Sequence, residues 1–276
     1  MSGGVDSSVA AFLLKEQGYD VSVIFMKNWS ETKDANGVCA WRKDRDDALK
    51  VAAFLGIPFE TVDFEAEYNK SVFDYMVREY QKAKTPNPDV LCNREIKFGL
   101  FLQKALSLGA DYIATGHYAR IKQKTEKNPA GGEKIVSYKL LKGVDKNKDQ
   151  SYFLCLLNQE QLRNTLFPLG NLTKPEVREI ARKNHLPNAE KKGSQGICFV
   201  GKVYMRDFLG KKITPHEGEI KTVDGCAVGK HPGVEFFTIG QRHGVGIGGG
   251  KPFFVVERDL KNNILTVSSD KKDPRL

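Results

Sequence analysis

The chain has 276 residues, of which 43 are Lys or Arg and 34 are Asp or Glu, leaving a net charge of +9 at neutral pH. That length accommodates one large domain or two moderate ones, and 40% apolar against 28% charged residues excludes a disordered or fibrous chain. No apolar run reaches the roughly 20 residues of a membrane helix, and no secretory signal is read at the start.

In chain order, the spacing predicts a helix over Ser7 to Gln17, with Val9, Ala10, Leu13 and Leu14 on one stripe and Gly18 as its stop. Asp20 to Met26 reads as a buried strand, Asp44 to Leu55 as a helix and Phe59 to Phe64 as a strand. Glu65 to Ala83 reads as a longer helix with Tyr68, Val72, Phe73, Met76 and Tyr80 inward. Arg94 to Leu108 is a further helix and Asp111 to Thr115 a further strand. This alternation argues for an α/β fold, a parallel sheet with helices on both faces, whose ligands gather beyond the carboxyl ends of the strands. After Ala119 the rhythm changes. Ala119 to Gln123 and Lys134 to Leu141 form two arms of a hairpin with a polar tip over Glu126 to Glu133. Thr173 to Glu176 is a capping box with Pro175 in the first turn. From about Gly210, short β-type runs and glycines, among them Gly244, Gly246, Gly248, Gly249 and Gly250, predict a small all-β domain. The expected boundaries are 1–205 for the α/β domain and 206–270 for the β-rich one.

Two strings carry chemistry. Ser2-Gly3-Gly4-Val5-Asp6-Ser7-Ser8 runs straight into the first helix. Adjacent glycines let the backbone come close, consecutive N–H groups form an anion nest, and the helix terminus adds positive potential, which suits a phosphate. The alternative is a Gly-rich turn capped by Asp6 or Ser7. No Gly-Lys-Ser/Thr follows, so it is not the other common phosphate loop. The second string is Thr85 to Asn93 (TPNPDVLCN), whose two prolines stiffen the loop. It places Cys92 at the head of the helix predicted from Arg94, with Arg94 and Lys97 close in sequence, a setting that favours its thiolate. Asp89 is placed to transfer a proton or orient a base. Far along the chain, Gly193 to Cys198 (GSQGIC) sets a second cysteine in a polar loop after Lys191 and Lys192.

The five cysteines, Cys39, Cys92, Cys155, Cys198 and Cys226, are scattered and include no Cys-x-x-Cys pair. They are neither a secreted disulfide framework nor a zinc or iron–sulfur site, so a cytoplasmic location and no resident metal are expected. A cysteine is more often a small buried hydrophobe than a catalyst, and Cys39, Cys155 and Cys226 are read that way. His117 and His243 are read as hydrogen-bonded structural residues rather than ligands. The positive balance permits a nucleic acid partner without requiring one. Lys82, Lys84, Arg94, Lys97, Lys191 and Lys192 flank the two cysteine strings and as a set favour RNA, although each singly reads as solvated surface.

In order, SGGVDSS, Met26 to Trp29 (MKNW), TPNPDVLCN, Ala114 to Arg120 (ATGHYAR), Lys148 to Leu154 (KDQSYFL) and Gly193 to Phe199 (GSQGICF) closely resemble the tRNA-specific 2-thiouridylase family, MnmA. Gly218 and Thr238 to Arg242 fit its central domain, and the resemblance runs from Met1 to about Ser269. It implies the α/β fold of the PP-loop, adenine nucleotide α hydrolase type. It also implies thiolation of carbon 2 of the wobble uridine in tRNAs for Lys, Glu and Gln, with ATP adenylating the C2 oxygen and releasing pyrophosphate. Met1, Ser2, Gly3, Gly4, Val5, Asp6, Ser7 and Ser8, with Met26 and Gly116, match nucleotide contacts, and Mg²⁺ is expected as ATP's companion. Asn87, Pro88 and Asp89 match contacts to the target base, with Asp89 as acid or base. Cys198 matches the residue that takes sulfur as a persulfide from a carrier protein, and Cys92 the partner that releases it, leaving a Cys92–Cys198 disulfide. His117, Lys148, Asp149 and Gln150 match tRNA contacts.

A monomer with no membrane association is expected. Because the two thiols must meet, the Cys198 loop is expected to move when tRNA binds. Family members carry an apolar strand before the phosphate loop and a C-terminal β-barrel, and both are expected to be missing here, at a cost of several kilocalories per mole of burial for the strand. Two other functions fit part of the pattern: an ammonia-dependent adenylating synthetase, and a truncated, inactive tRNA-binding remnant.

Overall fold

The computed structural model describes residues 1–33, 37, 39–127, 133–193, 196–201, 205–210, 212–248 and 250–276. Most of the expected hairpin tip, with Ser194, Gln195 and Gly249, lies outside the described residues. The chain divides into two units, one of Met1–Val72 with Pro88–Lys202 and one of Phe73–Asn87 with Val203–Leu276.

In the first unit, α1 (Val5–Glu16) leads to β1 (Val23–Lys27), α2 (Ala40–Leu55) and β2 (Phe59–Asp63). β1 and β2 pair in parallel from Val23 opposite Phe59 to Lys27 opposite Asp63, with α2 as the crossover. Gly56 ends α2 in the left-handed region at φ 63°, where a residue without Cβ is least strained. A second parallel pair joins β3 (Ile113–Ala114) to β6 (Thr165–Leu166). A cavity of about 770 Å³ is lined by Val23 and Ile24 of the first pair, Ile113 and Ala114 of the second, and Ala10 and Leu14 of α1. The parallel α/β layout is therefore present as two short pairs.

The core of this unit packs Val5, Val9 and Ala10 of α1 against Val51 and Leu55 of α2, with Tyr118 and Leu169. Val177 and Ala181 complete it from α8 (Lys174–Lys183). The hairpin is longer than its pattern predicts: β4 (Ala119–Lys127) pairs antiparallel with β5 (Glu133–Lys142), with a register shift between Lys124 and Thr125.

Two helical stretches differ from their predicted form. The stretch expected as one helix from Glu65 runs as α3 (Glu65–Tyr68), a π turn (Asn69–Phe73) and α4 (Asp74–Gln81), and the boundary between units falls inside that turn. Its inward residues Tyr68, Val72, Phe73, Met76 and Tyr80 are all buried, as the spacing predicts. The stretch expected to begin at Arg94 starts earlier. It runs as α5 (Pro88–Leu91), a π segment (Cys92–Leu100) and α6 (Phe101–Ser107). Gln161, in α7 (Gln159–Arg163), donates from Nε2 to the carbonyls of Arg94 at 3.2 Å and Phe98 at 2.9 Å, supporting the widened turn.

The second unit holds α4, α9 (Met205–Gly210) and a four-stranded sheet in the order β8-β7-β10-β9. Its strands are β7 (Gly218–Thr222), β8 (Ala227–His231), β9 (Phe254–Asp259) and β10 (Ile264–Ser268), enclosing Ile220, Val234, Phe237, Val245, Val255, Leu265 and Val267. Among the described residues no helix is long and apolar enough to cross a membrane.

The capping box read from the sequence is present. Thr173 Oγ1 accepts from the Glu176 N–H at 3.5 Å, and Glu176 Oε2 accepts from the Thr173 N–H at 2.6 Å. Replacing Thr173 by Ala should cost about 1 kcal/mol; urea denaturation of the two chains measures it, and equal midpoints would show the box to be idle.

Candidate active site

The glycines of the Ser2–Ser8 loop are needed for different reasons. Gly3 has φ 71°, and a Cβ there would sit 2.2 Å from the Asp44 carbonyl oxygen of α2. Gly4 is the N-cap of α1 and has no side chain to occupy the helix terminus. Ser7 and Ser8 each donate from Oγ to the Gly4 carbonyl at 3.0 Å, and Asn188 Nδ2 donates to the Gly3 carbonyl and to Ser8 Oγ, both at 2.9 Å. The loop is thus held from behind by hydrogen bonds, leaving the start of a 12-residue helix as an anion site.

Asp6 has two partners that sequence reasoning missed: Tyr118 donates to Oδ1 at 2.9 Å and Lys174 Nζ at 2.5 Å. Lys174 brings a cation to the loop from the first turn of α8; its adjacency to the Thr173 cap was the only available signal. Gly116 lies directly on the loop, since a Cβ there would be 2.7 Å from the Asp6 carbonyl carbon. Met26 lies near the carboxyl end of β1, and the Met1 ammonium donates to the Ile24 carbonyl at 2.5 Å.

The second centre lies in the same unit. Cys198 sits in a tight turn closed by mutual backbone hydrogen bonds between Ile197 and Gly201, at 3.1 and 2.8 Å. Phe199 within it adopts φ 66°, strained for a residue with a Cβ. Several contacts hold the turn: the Cys198 N–H donates to Asp89 Oδ1 at 2.9 Å, Tyr68 Oη donates to the Cys198 carbonyl at 3.0 Å, Thr32 Oγ1 donates to the Val200 carbonyl at 3.0 Å, and the Tyr68 and Phe199 rings meet edge-on at 6.1 Å. The Cys92 and Cys198 thiols are hydrogen-bonded to each other, and both are free rather than disulfide-linked. The two thiols therefore already face each other in the chain by itself.

The charges differ from the sequence expectation. Cys92 is not at a helix start but one turn inside the helical run from Pro88, and fully buried. Burial, then the hydrogen bond to Cys198, pushes its thiol well above the ordinary value. The thiolate belongs to Cys198, lowered to about 6 by the hydrogen bond from Cys92, against burial, with Lys97 adding to the shift. Burial opposes the charge of Lys97, but Cys198, Cys92 and Asp89 outweigh it and hold its pKa up. His117, beside Gly116, is pushed well down by burial and by Lys97, so its ring is neutral; Nδ1 is 2.8 Å from Thr115 Oγ1.

The remaining sequence candidates fall in several places. Asp149 Oδ1 accepts from the Gly143 N–H at 3.0 Å and its Oδ2 from the Ser151 hydroxyl at 2.9 Å, while Gln150 Oε1 accepts from the Tyr118 N–H at 3.2 Å. These side chains brace the fold, and half-buried Lys148 joins the same turn through its N–H to the Asp145 carbonyl at 3.2 Å. Pro88 opens α5, and Asn87 belongs to the second unit. The basic set is largely neutralised. Lys82 and Lys84 meet Glu79, Arg94 meets Glu95, and Lys191 meets Asp44 and Asp47 at 2.7 and 2.6 Å. Lys192 is exposed. Cys155 and Cys226 are exposed and Cys39 is half-buried, so none of the three is the buried hydrophobe expected.

Residues 1–202 match the family model described as tRNA methyl transferase HUP domain, and residues 206–269 the one described as tRNA methyl transferase PRC-barrel domain. The chain is 55% identical over 268 residues to the tRNA-specific 2-thiouridylase MnmA of Listeria monocytogenes serovar 1/2a, covering 97% of this chain and 69% of that protein. The proteins of the same name from Lysinibacillus sphaericus and Bacillus cytotoxicus are 53% and 55% identical over the same shares.

Substituting Gly3 by Ala should introduce strain on the order of 1–3 kcal/mol and weaken pyrophosphate binding about tenfold. Titration calorimetry with pyrophosphate measures this, and unchanged affinity in a folded variant would detach the loop from phosphate recognition.

Proposed function

The chain belongs to the tRNA-specific 2-thiouridylase MnmA family, and we propose that its two centres divide the thiolation of a tRNA uridine into an adenylation and a sulfur transfer. It is a PP-loop enzyme that uses ATP and replaces oxygen by sulfur at carbon 2 of uridine in tRNA. The description of the matched model speaks of methyl transfer, whereas the relatives are named for thiolation. Two free thiols facing each other, with the Cys198 N–H bound to Asp89 at 2.9 Å, suit sulfur, and this is the observation that carries the assignment of residues.

In the first step the C2 oxygen of the wobble uridine attacks the α-phosphorus of ATP, and pyrophosphate leaves into the Ser2–Ser8 loop. Lys174 and the α1 terminus neutralise its charge, while Gly116 and Met26 border the nucleotide. Mg²⁺ accompanies the phosphates.

The second step requires Cys198 as a persulfide. Its thiolate attacks the outer sulfur of a carrier protein's persulfide, and the carrier leaves as a thiolate. The terminal sulfur of the Cys198 persulfide then attacks carbon 2, expelling AMP, a far better leaving group than the original oxygen. Cys92, giving up its proton to Asp89, attacks Cys198 Sγ. The sulfur–sulfur bond breaks, sulfur stays on the base, and a Cys92–Cys198 disulfide remains for an external thiol to reduce with two electrons. Asn87, Pro88 and Asp89 contact the flipped base, and His117 and Lys148 to Gln150 the surrounding RNA. The substrates are the tRNAs for Lys, Glu and Gln, and the enzyme acts as a cytoplasmic monomer, with residues 1–205 carrying both steps.

Incubating the chain with tRNA, ATP and a persulfide source, followed by mass spectrometry of the nucleosides, should reveal 2-thiouridine. Cys92→Ser and Cys198→Ser should each reduce it to the level without enzyme. Full activity in either variant removes the thiolation mechanism in favour of an ammonia-dependent adenylating enzyme, and tRNA binding without ATP consumption would leave only an RNA-binding remnant.

A further inference from the structure

The cations expected to face RNA around the cysteine strings are largely paired with carboxylates, but a second basic surface lies elsewhere in the first unit. A cavity of about 730 Å³ is lined by Tyr19, Tyr112 and Tyr138 together with Arg120, Lys122 and Arg163. Among the described residues, no Asp or Glu lines it. Lys122 and Arg163 are exposed and form no ion pair with any described residue, and the three tyrosine hydroxyls find no hydrogen-bond partner among them. Arg120 donates from Nε to the Lys142 carbonyl at 2.9 Å, which fixes its guanidinium across the hairpin and leaves its terminal nitrogens available. The separate pieces of this lining are tied together. The side chain of Gln159 in α7 exchanges two hydrogen bonds with the Tyr138 backbone, at 2.8 and 3.0 Å, so Arg163 of the same short helix is fixed relative to β5. The Ile113 N–H donates to the Asn164 carbonyl at 2.9 Å, joining Tyr112 and β3 to the end of that helix.

Cationic and hydroxyl donors with no carboxylate beside them suit a ligand made of many anionic oxygens. Arg120 and Lys122 are alternate residues of β4, so they share one face of the strand about 7 Å apart, a spacing that suits neighbouring phosphates. We propose that this groove is a second RNA-binding site, holding the sugar–phosphate backbone of the tRNA stem that leads away from the target uridine. The assignment rests on tRNA as the substrate and adds where the rest of that RNA lies. β4 begins two residues after His117, and on the order of 15 Å of extended chain separates His117 from Lys122. An RNA whose base enters between the phosphate loop and the thiols therefore reaches the groove with its adjoining stem. A protein that donates sulfur has to bring its persulfide to Cys198, which does not line the groove. Contacts to phosphate and ribose position an RNA without reading its sequence, so one groove serves different tRNA substrates alike.

The test is binding of unmodified tRNA to the whole chain, followed by fluorescence anisotropy over a range of salt concentrations, beside the anticodon stem-loop and its single-stranded loop alone. Lys122→Ala combined with Arg163→Ala should weaken binding of tRNA and of the stem-loop roughly tenfold. It should also reduce the slope of log affinity against log salt by about two, one for each cation removed. Affinity for the loop alone should stay at the wild-type value. Lys122→Arg combined with Arg163→Lys should restore both affinity and slope, and Tyr112→Phe should weaken stem-loop binding about threefold by loss of one hydroxyl. Pyrophosphate titration, which reads the Ser2–Ser8 loop, checks that each variant is folded. Wild-type affinity and slope in a folded double variant overturn the proposal, as does an equal loss for the loop alone. So does a double variant that binds tRNA normally but no longer takes sulfur from a carrier protein, which would make the groove a protein surface. A wild-type chain with no affinity for tRNA overturns the function itself together with the groove, whereas tRNA binding indifferent to Lys122 and Arg163 removes the groove alone.

Discussion

One hydrogen bond, from the Cys198 N–H to the Asp89 carboxylate at 2.9 Å, fixes the separation of the two thiols. Asp89 belongs to the four-residue helix that runs directly into Cys92, so an amide that binds Asp89 brings its own sulfur alongside. An ionised acceptor makes this bond stronger than a neutral one, and the Tyr68 hydroxyl anchors the other side of the same residue. A turn closed between Ile197 and Gly201 leaves little freedom between those anchors. The left-handed Phe199 in this turn is an unfavourable conformation that the surrounding contacts hold in place.

Charge placement follows from burial as much as from partners. Cys92 is fully enclosed, and for it burial outweighs the nearby Lys97 and favours the neutral thiol. Cys198 is less enclosed and receives the Cys92 proton as a hydrogen bond, and the two effects separate a pair that would otherwise titrate together. The π segment decides the side on which the cation lies. In a regular α-helix five residues rotate a side chain about 140° away from its starting direction. The wider π turn from Cys92 closes part of that angle, so Lys97 shares a site with a cysteine five positions earlier.

This is why the thiol site could be read from the sequence only in outline. Cysteines in polar, proline-bearing or glycine-bearing strings stood out by context, and both fall in the site. The inversion of their charges did not, because it depends on a helix starting at Pro88 rather than Arg94 and on a π turn with no residue signature. The helical stripe of α1, the β1–α2–β2 crossover and the Thr173 box were visible because periodicity and capping are local rules. Pairing partners were not. Nothing in the sequence tells that the lysines around the cysteine strings meet Glu79, Asp44 or Asp47 rather than an RNA backbone. Asp149 and Gln150 show the same limit: polar residues in a loop read as available, yet their side chains close the turn that carries them.

The two centres must cooperate within one reaction, and the short segment Thr115 to Tyr118 is the physical link between them. Gly116 is pressed against Asp6 and Ser7 of the phosphate loop, closely enough that any side chain would collide with their backbone. Tyr118 reaches the same Asp6 through its hydroxyl. Between them, His117 turns the other way, its ring 5.8 Å from that of Phe98, the residue after Lys97. Alternate residues of one segment thus face the adenylating loop and the thiol site. In the proposed function, that edge is the route of a base whose C2 oxygen is activated at one and replaced at the other. A neutral His117 suits this position, because it can hydrogen-bond a uracil without adding a second cation beside Lys97.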